Sequence, residues 1–256
     1  MIEVKELSKT FVLSKKQQKE LNTKETRFLA LQNISFTCKP GKVFSLLGPN
    51  GAGKTTTLRI IGGIIKASSG TVLINGIDIS KNPNEARKHI GFLTGSTGLY
   101  SRLTPNELIT YFAGLYGVDR TTMELRKKWL FDLLDMHQYA NKQIGKLSTG
   151  MKQKVSICRT MIHDPNILVF DEPTSGLDVI SADAIINLIR DCKAQNKTVI
   201  FSSHIMSEVE LLCDELAIIH RGKIVENTSF EAFKTAAPNQ YLTRRFIEII
   251  KNSEQT

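Results

Sequence analysis

The sequence predicts an α/β fold with a mostly parallel sheet, an N-terminal antiparallel β subdomain and an inserted helical subdomain. Three observations carry this. Apolar runs at 43–47 ("VFSLL"), 167–170 ("ILVF"), 198–201 ("TVIF") and 216–219 ("LAII") suit strands buried on both faces, and helical intervals separate the last three. Strand-like stretches with turn signals crowd the first 80 residues. The middle, about 105 to 165, carries helical periodicity instead.

In chain order, "IEVKEL" (2–7) and "LQNISFTC" (31–38) read as strands, and "PGK" (40–42) as the turn before "VFSLL". A helix with Leu58, Ile61 and Ile65 on one face follows, then a strand and turn over 70–79. "TPNELITYFAGLYG" opens with Pro105 near a helix start and stops at Gly117, and "TTMELRKKWLFDLLDM" continues the helical period. Met151, Val155, Cys158 and Ile162 form a core face on a further helix. Residues 181–192 form a crossover helix with Ile185, Leu188 and Cys192 on one side, and the last sixteen residues read as a helix with a polar end.

Between the strand at 43–47 and its helix lies "GPNGAGKTTT", which fits G-x-x-x-x-G-K-[ST] through Gly48, Gly53, Lys54 and Thr55. In that context the pattern is a phosphate-binding loop. Its glycines let backbone N–H groups curl around phosphate oxygens, and the helix start adds the positive end of its dipole. Residues Gly48, Pro49, Asn50, Gly51, Ala52, Gly53, Lys54, Thr55 and Thr56 are therefore assigned to a nucleotide. Lys54 supplies a point charge to the β and γ phosphates, and Thr55 a hydroxyl ligand for Mg²⁺.

A second acidic site stands in "ILVFDEPTSGLD" (167–178), where Asp171 and Glu172 end a buried strand, the edge at which open parallel sheets bind ligands. Asp171 suits Mg²⁺ held through water, and Glu172 a general base or positioner for the attacking water. A guanine-reading N-K-x-D motif is missing after both Asn141-Lys142 and Asn196-Lys197, so adenine is the expected base.

Composition sets outer bounds. The 256 residues are 41% hydrophobic and 23% charged, with no apolar run near the roughly 18 residues a spanning helix needs and no apolar region of a signal peptide. Cys38, Cys158, Cys192 and Cys213 are scattered without a C-x-x-C pair, which reads as buried thiols rather than a zinc site. The net charge of +9 admits nucleic acid or an anionic membrane surface. Residues 14–27, with five basic and two acidic side chains, read as a solvated loop or hairpin extension.

"LSTGM" (147–151), just before the acidic strand, resembles the signature L-S-G-G-Q of the ATP-binding-cassette family, matching at Leu147, Ser148 and Gly150 and departing at Thr149 and Met151. The resemblance extends in order over about residues 2–228. It places an adenine-stacking aromatic at Phe11, the loop that crosses between paired cassettes at "SGLD" with Asp178, and a switch histidine touching the γ-phosphate and water at His204. It implies a P-loop NTPase core, a nucleotide-binding domain over 1–228 with a helical subdomain at about 98–163, and a short C-terminal helical extension over 229–256. It also implies ATP and Mg²⁺ as cofactors, and a second copy or a paralogous cassette whose Ser148-type helix closes over the bound ATP.

The family's cassettes drive a transmembrane permease. The resemblance therefore implies peripheral association with the cytoplasmic face of the membrane, no nucleic acid, and a coupling contact around residues 99–108. "LTGSTGLY" and "LSTGM" are similar to the subfamily of sodium efflux and related exporters. Gly95 falls where the family's metal-touching glutamine usually stands, and a glycine has no side chain to ligate; Thr94, Ser96 and Thr97 flank it. The rival reading is a soluble cassette ATPase acting on DNA or ribosomes; a single cassette without a long coiled coil or second phosphate loop disfavours it. A regulator that binds nucleotide without turnover is disfavoured by Glu172.

Overall fold

Two sheets organise the chain in the computed structural model, which describes residues 1–20, 22–94, 98–236 and 241–254. The elements run β1 (Ile2–Val12), α1 (Lys15–Glu20), β2 (Arg27–Cys38), β3 (Val43–Leu47), α2 (Lys54–Ile61), β4 (Ser69–Ile74), β5 (Ile77–Asp78), α3 (Pro83–Lys88) and β6 (Ile90–Leu93). Next come α4 (Pro105–Leu115), α5 (Arg120–Leu133), α6 (Thr149–Met161), β7 (Ile167–Asp171), α7 (Val179–Ala194), β8 (Thr198–Ser203) and α8 (Met206–Leu212). The chain closes with β9 (Glu215–His220), β10 (Lys223–Ser229), α9 (Phe230–Thr235) and α10 (Leu242–Asn252).

The larger sheet has the order β10-β9-β3-β8-β7-β6, parallel except for the antiparallel edge strand β10. The smaller sheet, β2-β1-β4-β5, is antiparallel throughout. Both match the predicted layers. Strand β3 is buried at every position and feeds opposite faces into different cores. Val43 and Leu47 join a core shared with the middle and C-terminal helices; Phe44 and Leu46 join one packed between the two sheets and α2. That alternation is the period of a strand buried on both faces.

The middle helices have legible starts. Thr104 and Glu107 form a reciprocal capping box with Pro105 in the first turn of α4, and Asp119 caps α5. Leu108, Ile109, Leu130 and Phe131 are buried in the same core as α6. Phe233 of α9 is fully buried there too, and Leu242, Phe246, Ile249 and Ile250 of α10 pack against that core.

Several boundaries differ from the expectation. Helix α2 stops at Ile61 because Gly62 and the left-handed Gly63 (φ 65°) follow, so Ile65 lies outside it. Strands β1 and β2 are longer than read, and β6 and β10 were not expected; both are edge strands, where the apolar signal is short or interrupted. The basic segment holds the short helix α1. The predicted thiol burial holds for Cys38, Cys158 and Cys192, with Cys213 half-buried, and burial pushes Cys158, Cys192 and Cys213 up to about 12. Gly95, Ser96 and Thr97 lie outside the described residues. Among the described residues no helix is long and apolar enough to cross a membrane.

Candidate active site

Parallel pairing brings the ends of β3, β7 and β8 to one edge, with Leu47 opposite Ser203 and Asp171 opposite Ser202. The loop after β3 begins at Gly48, where a Cβ would sit 2.3 Å from the Ile219 carbonyl oxygen of β9. Only glycine fits. Gly51 (φ 79°) and Gly53 (φ 113°) are left-handed, and α2 has no side-chain cap at Gly53. The N-terminal amides of α2 thus lack the competitor that Asp or Ser supplies at other helices.

Lys54 is nearly buried, and its Nζ donates to the carbonyls of Gly48 (2.7 Å) and Pro49 (3.1 Å). Burial lowers its pKa, while Glu172, 3.6 Å away, and Asp171 oppose that shift. Thr55 Oγ1 donates to Asp171 Oδ1 at 3.0 Å. Glu172 sits at φ 48°, a left-handed conformation uncommon for a residue with a side chain, and its Oε1 lies 3.1 Å from His204 Nδ1. Lys54, Thr55, Asp171, Glu172 and His204 therefore form one connected cluster.

A cavity of about 330 Å³ adjoins it, lined by Asn50 through Thr56 together with Phe28, Ala30 and Glu172. Phe11 does not line this cavity; it pairs across the strands with Phe28, and Lys9 lies 4.9 Å from its ring centre. Ser148, Gly150 and Asp178 are also outside the lining. Ser148 caps α6 by accepting from the Met151 N–H, and Asp178 caps α7 by accepting from Ser181. A Cβ at Gly150 would lie 3.5 Å from Leu177 and 4.0 Å from Asp178, so these three positions form a group of their own. Val179 and Ile180 beside them are more than four-fifths exposed.

Two residues escaped the sequence reading. Ser202 Oγ donates to Asp171 Oδ1 (2.7 Å) and accepts from the Glu172 N–H (3.0 Å), tying the two carboxylate residues to β8. The signal available was a pair of serines closing an apolar strand just before His204. Phe28, half exposed at the start of β2, is the aromatic that borders the cavity.

The profile of the ABC transporter family matches residues 31–175, more than half the chain and the span from β2 past Glu172. The chain belongs to the ABC transporter family. As a cassette of that family it is an ATP-binding, ATP-hydrolysing subunit. It is 41% identical over 219 residues to the ABC transporter ATP-binding protein NatA of Bacillus subtilis, covering 85% of this chain and 89% of the relative. Its fold is similar to a solved ATP-binding subunit of an ABC transporter, with TM-score 0.86 and 26% identity over 97% of this cassette and 99% of that one. It is also similar to the dimeric post-hydrolysis state of the cassette MJ0796 bound to ADP and Pi, with TM-score 0.77 and 25% identity over 90% of this chain and 98% of the other.

Proposed function

We propose that this cassette binds Mg·ATP between its phosphate loop and the Ser148–Gly150 segment of a second cassette, and that the closing and reopening of the pair drives a separate membrane permease. The observation carrying this reading is the split of the site. Lys54, Thr55 and Glu172 of the cluster line the cavity, whereas Ser148, Gly150 and Asp178 stand apart from it beside exposed Val179 and Ile180. Large exposed apolar residues next to a helix start are what a partner surface would cover. The solved relative in its ADP- and Pi-bound state is a dimer, which supports the same reading.

In this site the amides of the loop and the start of α2 receive the phosphates, and Lys54 exchanges its two carbonyl acceptors for phosphate oxygens, which bind a cation more strongly. Thr55 and Asp171 offer hard oxygen donors joined at 3.0 Å, a set that suits Mg²⁺ with water completing its shell. When bound, the metal neutralises charge on the transferred phosphoryl group. Glu172 accepts the proton of the attacking water. An ionised carboxylate only accepts hydrogen bonds, so His204 carries its proton on Nδ1 and holds Glu172 in place. Ser202 fixes both carboxylate residues from behind.

The permease contact falls in this reading around residues 99–108, where Tyr100 meets Tyr111 edge-on at 6.2 Å and both are about half exposed. The cassette then lies at the cytoplasmic face of the membrane. Export is the proposed direction, from the similarity of its motifs to those of the exporter subfamily.

Mixing Lys54→Ala chains, which cannot hold ATP, with Ser148→Arg chains, which cannot complete a neighbour's site, tests the shared site. One composite site of a mixed dimer carries both lesions and the other neither, so ATPase activity should return on mixing. No recovery from mixed dimers that demonstrably form would sink the two-chain site.

A further inference from the structure

The turn between β9 and β10 reaches the phosphate loop. Gly222 N–H donates to the Ala52 carbonyl at 2.9 Å, and the Gly222 carbonyl accepts from the Gln32 N–H at 2.8 Å. Gln32 Nε2 donates in turn to the Arg221 carbonyl at 3.0 Å. Arg221 (φ 46°) and Gly222 (φ 77°) are consecutive left-handed residues, as in a tight hairpin of the primed type. A Cβ at position 222 would lie 2.6 Å from the Ala30 carbonyl oxygen, so glycine alone allows the amide to approach so closely.

That one bond sets the direction of a peptide plane. No peptide bond among the described residues is cis, so the Ala52 carbonyl and the Gly53 N–H point in opposite directions within their shared plane. Holding the carbonyl against Gly222 turns the Gly53 N–H to the opposite side. That plane is flanked by Ala52 and Gly53, and Gly53 (φ 113°) carries no Cβ to hinder rotation on its side, so the bond from Gly222 adds a restraint there.

The turn is held from outside by the end of α10. His220 Nδ1 lies 2.8 Å from Ser253 Oγ. Glu254 Oε1 accepts from Arg221 Nη2 at 3.1 Å and stands 3.7 Å from His220 Nε2. Helix α10 is fastened in turn through Arg245, which bonds Glu226 at 3.0 Å and lies over the buried Phe233 ring at 4.7 Å.

We propose that Arg221 and Glu254 are positioning residues for nucleotide binding. The end of α10 clamps the β9–β10 turn, and the Gly222 amide thereby keeps the Gly53 N–H aimed at the bound phosphates. Seating of α10 and binding of ATP then favour each other, because coupling between two sites is reciprocal. The inference rests on the nucleotide reading of the loop, which an ATP titration of the parental chain tests by itself.

The experiment titrates ATP into the full chain carrying Arg221→Ala, Glu254→Ala, both together, or Arg221→Lys. An exposed ion pair carries little energy, so each single alanine should weaken ATP affinity by about threefold, with the double variant no worse than either and Arg221→Lys near parental. Amide hydrogen exchange across 242–252 should slow when ATP is added to the parental chain and respond less in Glu254→Ala. Parental affinity in every alanine variant overturns the proposal, even if the melting temperature falls, since the ion pair would then only stabilise the fold. Exchange of α10 indifferent to ATP, in a chain that binds ATP, overturns it as well.

Discussion

His204 Nδ1 lies 3.1 Å from Glu172 Oε1, the same oxygen that stands 3.6 Å from Lys54 Nζ. One carboxylate oxygen thus links the histidine after β8 to the lysine of the phosphate loop. Glu172→Gln keeps the size and shape of the side chain but removes its basicity. ATP affinity should remain within a fewfold of parental, while turnover falls by at least about 10²-fold, the loss typical of a missing general base. ATP-bound dimers should accumulate and be visible by size-exclusion chromatography. Near-parental hydrolysis would remove Glu172 from its proposed role.

The Thr55–Asp171–Ser202 chain predicts how the proposed Mg²⁺ would be held. Thr55→Ala and Asp171→Ala should each erase most of the difference between ATP affinity measured in Mg²⁺ and in EDTA. Ser202→Ala leaves both donors in place but deletes one buried and one partly buried hydrogen bond, each worth roughly 1 kcal/mol. It should lower stability and turnover while retaining the Mg²⁺-dependent part of the affinity. Loss of that part in Ser202→Ala alone would make the serine a ligand rather than a support.

Phe28 borders the cavity and Phe11 stands beside it on the neighbouring strand. Base stacking on an aromatic side chain is worth about 1–3 kcal/mol by alanine substitution. Phe28→Ala should therefore weaken ATP binding at least as much as Phe11→Ala does. The comparison is direct, and a loss confined to Phe11→Ala would return the stacking role to β1.

His163 stacks on Tyr116 with ring centres 3.8 Å apart, and burial lowers its pKa to about 4. The ordinary value is about 6.5, so between these values the unfolded chain binds more protons than the folded one. Stability is then fully present above pH 6.5 and falls as pH drops toward 4. Denaturant titrations at pH 7.5 and 5.5 should show this side chain costing on the order of 1 kcal/mol at the lower pH. His163→Phe, which keeps a ring against Tyr116, should remove that loss. An identical pH dependence in the variant would contradict the shift.

The chemistry was legible because it is written locally. Gly48 to Thr56 spell a loop whose backbone needs glycine at fixed places, and Asp171–Glu172 close a run apolar enough to be a central strand. The central strands were legible for the same reason. What depends on register was not. Ser202 meets Asp171 only because β7 and β8 are parallel neighbours aligned at that residue, and Phe28 reaches the cavity only through its pairing with β1. The edge strands β6 and β10 carry too little apolar pattern to announce themselves. Helix α2 ended early because two glycines outweighed the helical spacing of Ile65.

Strand β3 lies between β8 and β9, whose residues follow it by more than 150 positions in the sequence. At about 5–20 residues per second on the ribosome, the nucleotide loop is made roughly seven to thirty seconds before either of its neighbours. Throughout that interval a strand of five buried residues has no partner in its own sheet. The nascent chain therefore carries an apolar segment that needs shelter, and ATP cannot guide the early stages of folding. Competence to bind nucleotide arrives late in synthesis, which makes it a readout of a completed sheet.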